Sequence, residues 1–330
     1  MSSTDCKFRV LVTPRSFGAD DPELREELIA ATAEVIWRQG GDLGPAELRE
    51  EVAEADGWIA GVERIDREVI ESATRLRVIA RYGVGVESVD LRAAAERGIV
   101  VTNTPGANSG AVAELVIGMI FALARRIAYA DAAVRDGRWP RLPGAAVEGR
   151  TVGLLGFGAI GREVGRRARG LGCRVIAFDP APGAAAAAAA AGVELLERDE
   201  VVATSDFLSL HLPVTRSTEG MVDADFLARM KRGSFLINAA RGELVDEGAL
   251  AEMLRADHLA GAALDCLAVE PPALGFELGR LDQVVLTPHI GAHTDAAARA
   301  MGRAAVDNCL AVLRGDPAPN PVTLPAEVSR

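Results

Sequence analysis

The sequence predicts an α/β protein built on parallel sheets, and two observations carry that prediction. Short apolar, β-branched runs alternate with amphipathic helical text along most of the 330 residues. Residues 152–161, Val-Gly-Leu-Leu-Gly-Phe-Gly-Ala-Ile-Gly, place Gly156, Gly158 and Gly161 at the G-x-G-x-x-G spacing between an apolar strand and a helix. In that motif one glycine permits a tight turn, one lets backbone approach a pyrophosphate, and one lets the helix pack closely on the strand. The pyrophosphate would rest on the helix start, at Ala159, Ile160 and Gly161, where free N–H groups and the positive dipole end meet it. With 34 glycines in the chain the spacing also arises by chance, so its context decides. Gly170-Leu-Gly closes the helix, residues 173–178 read as the next strand, and Asp179 follows. That is roughly 20 residues past the glycines, where such a unit needs an acid for the ribose hydroxyls. A carboxylate there repels a 2′-phosphate and no arginine follows in Pro180-Ala-Pro-Gly, so the expected dinucleotide is NAD.

Taken in order, residues 8–14 have the length and β-branching of a buried strand. Acidic helical text is expected from Pro22 to about Arg38, and again from Pro45 to Ala55. A short strand at 57–61, a helix at 66–73 and a buried strand at 76–81 follow. That last strand runs into Tyr82-Gly-Val-Gly-Val-Glu-Ser, glycines where open sheets bind ligands, though a plain strand-to-helix turn reads the same. Residues 98–108 give a further strand and a turn-rich loop. One long helix is expected from about Ala111 to Ala130, apolar on nearly every side. Glu114 and Arg125-Arg126 bracket too few apolar residues for a membrane span, which points to a buried helix. A Pro/Gly-rich connection spans 136–149, and the alanines at 184–191 predict a plain surface helix. Strand-like runs at 207–211, 234–238, 261–265 and 284–287 follow, with helical text near 223–231 and 247–255. Each ends in a polar residue at its carboxyl end, the ligand-binding edge of such a sheet.

The length fits roughly two domains and 49% hydrophobic residues suffice for their cores. A net charge of −11 argues against nucleic acid as the main partner, which needs a concentrated basic face. Cys6, Cys173, Cys266 and Cys309 are scattered without C-x-x-C spacing and read as reduced, small apolar residues. The N-terminus lacks an apolar signal core and no run spans a bilayer, which predicts a soluble, cytoplasmic protein. On the polar edge, Arg241 suits a carboxylate, held through two parallel hydrogen bonds, though taken alone it reads more readily as a surface arginine. Asp265, Glu270 and His289 are ordinary one at a time; together with Arg241 they put acids, an arginine and a histidine on one edge.

With these stretches on the page, the chain resembles the D-isomer-specific 2-hydroxyacid dehydrogenases, most of all their phosphoglycerate dehydrogenase-like branch. The likeness runs through Val10-Leu-Val-Thr-Pro-Arg-Ser-Phe-Gly, Ala80-Arg-Tyr-Gly-Val-Gly, Val101-Thr-Asn-Thr-Pro-Gly-Ala-Asn, Val112-Ala-Glu-Leu and the glycine motif. It continues in Ser209-Leu-His-Leu-Pro, Ile237-Asn-Ala-Ala-Arg-Gly, Glu270-Pro and Pro288-His-Ile-Gly. The resemblance implies two Rossmann-like/flavodoxin-like parallel-sheet domains, with the nucleotide-binding domain inserted into a split substrate domain. The expected boundaries are 1–101 plus 293–330 for the substrate domain and 102–292 for the NAD-binding domain, with crossing helices after Pro105 and Gly291. It also implies a homodimer formed through the nucleotide domains.

Carried over by position, Arg241, Glu270 and His289 are the expected catalytic set. Imidazole titrates near neutrality and can take the hydroxyl proton, Glu270 would fix its tautomer, and Arg241 would clamp the substrate carboxylate. Substrate contacts are expected from Gly83, Val84, Gly85, Arg81 and Asn108, with Arg15 a further candidate for a second anionic group. Cofactor contacts are expected from Gly156, Gly158, Ala159, Ile160, Gly161, Asp179, His211, Pro213, Thr218, Ala239 and Asp265, the last on the nicotinamide carboxamide. No metal is expected. Glu87 and Ser88 replace the Asp-Asn that relatives commonly carry, Cys266 stands where an aromatic is usual, and His293 where a small hydroxyl residue is common. These departures bear on the substrate: 3-phosphoglycerate is the default, a phosphonate or other specialised hydroxyacid the alternative. Formate oxidation is disfavoured, because the resembling enzymes carry glutamine where Glu270 stands. The chain stops at Arg330, so the appended regulatory domain of some relatives, and feedback by serine through it, are not expected. A reading from another class, an NAD-sensing corepressor-like protein, shares the triad; compact ends speak against it.

Overall fold

The computed structural model describes residues 8–19, 21–38 and 43–323; Cys6 and the N-terminal stretch that lacks a signal core lie outside them. The chain divides into two compact units, one running to Asn108 and resuming at His293, the other Ser109–Ala292.

The first unit opens with β1 (Arg9–Val12), α1 (Pro22–Ala31), β2 (Glu34–Trp37), α2 (Pro45–Ala53) and β3 (Gly57–Ala60). It continues with α3 (Arg67–Ser72), β4 (Val78–Arg81), α4 (Leu91–Glu96) and β5 (Val100–Thr102). The sheet is parallel throughout in the order β2-β1-β3-β4-β5, the flavodoxin-like arrangement. Asp21, Asp66 and Asp90 start α1, α3 and α4 by accepting the backbone N–H groups of Leu24, Val69 and Ala93. The helix expected to reach Arg38 instead stops at Ala31. The Thr32 hydroxyl donates to the Leu28 carbonyl at 2.7 Å, and Val35-Ile-Trp, β-branched and aromatic, pairs with β1 in register from Arg9↔Glu34 to Val12↔Trp37. The ladder is a tertiary gain that outweighs the helical spacing of the sequence. Trp58 is fully buried, with its indole N–H on the Thr13 hydroxyl at 3.1 Å.

The second unit begins with α5 (Ser109–Ala124) and α6 (Ile127–Arg135), where one helix from Ala111 to Ala130 is expected. Arg126 adopts a left-handed φ of 51°, its guanidinium 4.7 Å over the Tyr129 ring. The Ala124 carbonyl is taken by the Ala145 N–H at 2.8 Å, which ends the first helix. Then come β6 (Thr151–Leu155), α7 (Ala159–Gly170), β7 (Arg174–Phe178), α8 (Ala184–Ala191), β8 (Glu194–Leu195), α9 (Arg198–Thr204) and β9 (Phe207–Leu210). The unit closes with α10 (Ala224–Arg229), β10 (Phe235–Asn238), α11 (Glu247–Arg255), β11 (Gly261–Leu264) and β12 (Val284–Leu286). The parallel order β12-β11-β10-β9-β6-β7-β8 is the doubly wound arrangement, reversing direction between β6 and β9. Apolar clusters cover both faces, which is why β9 and β11 are buried along their whole length.

The chain returns to the first unit through α12 (Asp295–Arg314), which buries Ala305, Val306, Cys309 and Leu313 among Val10, Ile59 and Val78 of that sheet. Arg77 ties down its C-terminal end by donating to the Val312 and Leu313 carbonyls, a cation at the negative pole of the helix. Among the described residues no helix is long and apolar enough to cross a membrane.

The Trp58 side chain anchors the first unit, so Trp58→Ala should cost roughly 3–5 kcal/mol of stability. Urea unfolding measures it, and a loss under about 1 kcal/mol would contradict this packing.

Candidate active site

In an all-parallel sheet every strand ends on the same edge, and the polar residues singled out by the sequence lie along that edge of the second unit. β6 runs into Gly156, whose φ of 100° suits glycine and whose N–H donates to the Phe178 carbonyl at 2.8 Å. A Cβ on Gly161 would stand 2.2 Å from the Gly156 carbonyl oxygen, so the first turn of α7 lies directly on the glycine turn. A Cβ on Gly158 would meet nothing within 4 Å, and no side chain caps α7 there. The N–H groups of Ala159, Ile160 and Gly161, which a helix start leaves without intrahelical partners, are thus available to a pyrophosphate.

Asp179 is fixed against this turn. Its carboxylate accepts the Phe157 N–H at 2.7 Å and the Ala181 N–H at 2.8 Å, and retains lone pairs for ribose hydroxyls. His211 follows β9, with its backbone N–H on the Leu155 carbonyl at 2.7 Å. Both its ring nitrogens are buried without a hydrogen-bond partner, beside Gly161. Burial, which strips hydration from the charged form, pushes the imidazole down from 6.5 to about 4. An orphaned polar ring beside a glycine turn and an open helix start fits a dinucleotide. The Thr218 hydroxyl donates to the Pro213 carbonyl at 2.7 Å and accepts the Thr215 N–H at 2.8 Å, closing the loop after β9; Ala239 is buried just past β10.

Three strand ends carry the remaining groups. Asn238, fully buried at the end of β10, accepts the Ala240 N–H at 3.0 Å and donates to the Arg241 carbonyl at 2.8 Å. That clamp folds the strand end into the turn that presents Arg241. At the end of β11, Asp265 is 2% exposed. Its carboxylate accepts the Thr287 hydroxyl at 2.5 Å and the N–H groups of Ile290 and Gly291, each at 2.8 Å. Its carbonyl accepts the His289 N–H at 2.8 Å. Residues 287–291 are thereby tied to β11, with His289 in the left-handed region at φ 52°, uncommon outside glycine. The His289 Nδ1 lies 2.9 Å from Glu270 Oε2, and Glu270 Oε1 accepts the Leu267 N–H at 2.9 Å. With a carboxylate on Nδ1, that nitrogen carries the proton and Nε2 is left for a ligand. The side chains of His289 and Glu270 are 50% and 38% exposed.

Cys266 lies beneath this pair, its thiol on the Ala240 carbonyl at 3.4 Å. Burial, and then the charges of Asp265 and Glu270, push the thiol up to about 12. Cys266, Glu270 and His289 bring donor atoms within 4.8 Å of one another, a cluster invisible in scattered cysteines and histidines.

In the first unit, Arg81 is buried at the end of β4 and donates from Nε to the Gly85 carbonyl at 3.1 Å and from Nη1 to the Ala60 carbonyl at 3.2 Å. The Gly83 carbonyl accepts the Thr104 N–H at 3.0 Å, and the Val84 carbonyl accepts the Asn103 side-chain amide at 2.8 Å. Three successive carbonyls are thus held. Because C=O and N–H point opposite ways across a trans peptide, the N–H groups of Val84 and Gly85 face away from Thr104 and Asn103. Asn103 is a support that the sequence reading misses; its place in Val-Thr-Asn-Thr-Pro is the available signal. Asn108 has a buried, unpartnered Oδ1, as does the Ser88 hydroxyl, whereas Arg15, Glu87 and His293 are exposed.

Residues 117–291 match the model of the D-isomer specific 2-hydroxyacid dehydrogenase, NAD binding domain. Over 289 residues the chain is 41% identical to D-3-phosphoglycerate dehydrogenase 2, chloroplastic, of Arabidopsis thaliana, covering 86% of this chain and 46% of that protein. The crystal structure of TT0316 protein from Thermus thermophilus is similar with a TM-score of 0.85 and 42% identity, over 96% of this chain and 100% of that one. A glyoxylate reductase from Paecilomyes thermophila gives a TM-score of 0.84 at 27% identity, over 97% and 99%. The chain spans about half the length of the curated relatives it matches.

The unfolded chain takes a proton on His211 below 6.5, whereas the folded one refuses it until about 4. Stability contributed this way is intact above 6.5 and is lost as pH falls toward 4. In cofactor-free protein, His211→Leu should reduce the loss of stability between about pH 7 and about pH 4.5 by on the order of 2 kcal/mol, read by urea unfolding. Equal losses in both proteins would refute the orphaned ring.

Proposed function

The chain belongs to the D-isomer-specific 2-hydroxyacid dehydrogenase family, and from that premise we propose that it interconverts a D-2-hydroxyacid and its 2-keto acid with NAD. The favoured pair is 3-phosphoglycerate and 3-phosphohydroxypyruvate. The observation that carries the reading is the Glu270–His289 pair, set on the same sheet edge as Arg241 and the glycine turn. When bound, NAD accepts or returns the hydride.

His289 Nε2 takes the hydroxyl proton during oxidation and returns it during reduction, while Glu270, itself fixed by the Leu267 N–H, keeps the proton of Nδ1 in place and stabilises the imidazolium. Arg241, presented by the Asn238 clamp, holds the substrate carboxylate and offsets negative charge on the reacting oxygen. The N–H groups of Val84 and Gly85 offer a further set of donors suited to an anionic group, with Arg81 bracing their loop. Asp179 selects NAD through the ribose hydroxyls, and Gly156, Gly158, Ala159, Ile160 and Gly161 hold the pyrophosphate; His211, Pro213, Thr218 and Ala239 line the cofactor, and Asp265 supports the nicotinamide side.

The substrate assignment leans on relatives named D-3-phosphoglycerate dehydrogenase, at 40–42% identity. A smaller or more specialised acid is the second reading, favoured by Glu87, Ser88 and His293 and by the likeness to a glyoxylate reductase. We extend the proposal to a cytoplasmic homodimer joined through the second unit. Exposed Ile127 and Val134 on α6, and Trp139 at 85% exposure beyond it, support self-association.

Following NADH absorbance with 3-phosphohydroxypyruvate, hydroxypyruvate, glyoxylate, pyruvate and phosphonopyruvate tests the activity. The phosphorylated acid should turn over fastest, and His289→Ala should lower kcat by roughly 10²–10⁴-fold. No turnover on the panel, or an unaffected variant, defeats the proposal. Asp179→Ala should shrink the preference for NAD over NADP by roughly tenfold or more in kcat/KM; an unchanged ratio removes the cofactor role of that carboxylate.

A further inference from the structure

We propose that Cys266, Glu270 and His289 form a site for a borderline-soft divalent cation, Zn²⁺ foremost, and that occupying it switches off the imidazole. A thiol sulfur, a carboxylate oxygen and a ring nitrogen lie within 4.8 Å of one another. These are the three donor types that zinc takes, with Zn–S about 2.3 Å and Zn–N and Zn–O about 2.0–2.2 Å. A bound ion would draw the sulfur in by up to about 1 Å and open the 2.9 Å contact of Nδ1 with Oε2 slightly, both within reach of side-chain rotation.

The surroundings favour it. Glu270 is already oriented by the Leu267 N–H, and His289 is held by the bonds of Asp265 to its own segment. Glu270 and His289 are exposed while Cys266 lies beneath them, so an ion enters from solvent and meets the thiol last. Around Cys266 the carboxylates of Asp265, Glu270 and Glu243 outnumber the single guanidinium of Arg241. The same negative field favours a dication.

The balance is simple. The ion takes the Nδ1 lone pair, the proton of Nδ1 passes to Nε2, and the thiol proton leaves to solvent. Bonds form to Sγ, Nδ1 and a Glu270 oxygen, water completes four-coordination, and nothing is oxidised or reduced. A neutral ring protonated on Nε2 cannot accept the hydroxyl proton. This inhibitory half rests on the proposed dehydrogenase activity; the binding half does not.

The test uses untagged, chelator-stripped protein titrated with Co²⁺, whose thiolate complexes show an intense sulfur-to-metal absorption band, and with Zn²⁺ by calorimetry. The wild type should bind one equivalent and show the band. Cys266→Ser and Cys266→Ala should each lose the band and bind Zn²⁺ at least tenfold more weakly. In NADH-linked turnover, the Zn²⁺ concentration halving each protein's own metal-free rate should rise at least tenfold in both variants. A wild type without the band, or variants with unchanged Zn²⁺ affinity, overturns the site. A band with turnover indifferent to saturating Zn²⁺ overturns the switch. A band lost in the variants, in a protein that turns over no hydroxyacid, upholds the site and removes the dehydrogenase reading instead.

Discussion

The carboxylate of Asp265 is the constraint on which the rest of the site depends. Buried at the end of β11, it accepts the Thr287 hydroxyl and two backbone N–H groups, while its carbonyl accepts a third from His289. A desolvated carboxylate surrounded by donors is costly to disturb, because removing it leaves those donors unpaired. What it fixes is a short segment that would otherwise have no reason to keep a histidine in the left-handed region. From there the Nδ1 of His289 meets Glu270, and the geometry of the exposed pair follows from the buried one.

The same logic recurs along the sheet edge and in the first unit: a buried polar group is satisfied so that an exposed one is aimed. Asn238 folds the turn that carries Arg241. Asp179 is tied to the glycine turn by the Phe157 N–H and to its own loop by the Ala181 N–H. The carbonyls of residues 83–85 are held by Thr104, Asn103 and Arg81, which leaves the following amides directed the other way. His211 departs from this pattern in the second unit: its ring is buried with no partner, and beside the open start of α7 it marks a place that a dinucleotide fits.

Much of this was legible in the sequence. Most strand positions, the glycine turn, Asp179 and the polar strand ends follow from period, turn chemistry and the rule that parallel strands finish on one edge. The strand at 34–37 was hidden because its helical neighbour shares its acidic, amphipathic spacing, and only pairing with β1 separates them. The break at Arg126 was hidden because nothing in an apolar run announces that a distant N–H, from Ala145, takes the last carbonyl. The short β8 is too brief to leave a period. In the site, the sequence marks Arg81 and Asp265 as candidate ligand contacts but not that Arg81 also braces its own loop through Gly85, or that Asp265 anchors a segment 22–26 residues on. The approach of His289 to Cys266 and Glu270 is likewise a product of the fold.

The most direct test is Asp265→Asn, in which an amide N–H₂ is forced against groups that need an acceptor. The readouts are the low-field NMR signal of the His289 Nδ1 proton and the single-turnover rate of hydride transfer from NADH to the keto acid. The signal should be lost or broadened and the rate should fall by roughly 10²-fold or more, the range expected when a proton-transferring group is misplaced. A variant that keeps both the signal and the rate would show that the Glu270–His289 pair does not depend on Asp265, and the central claim would fall.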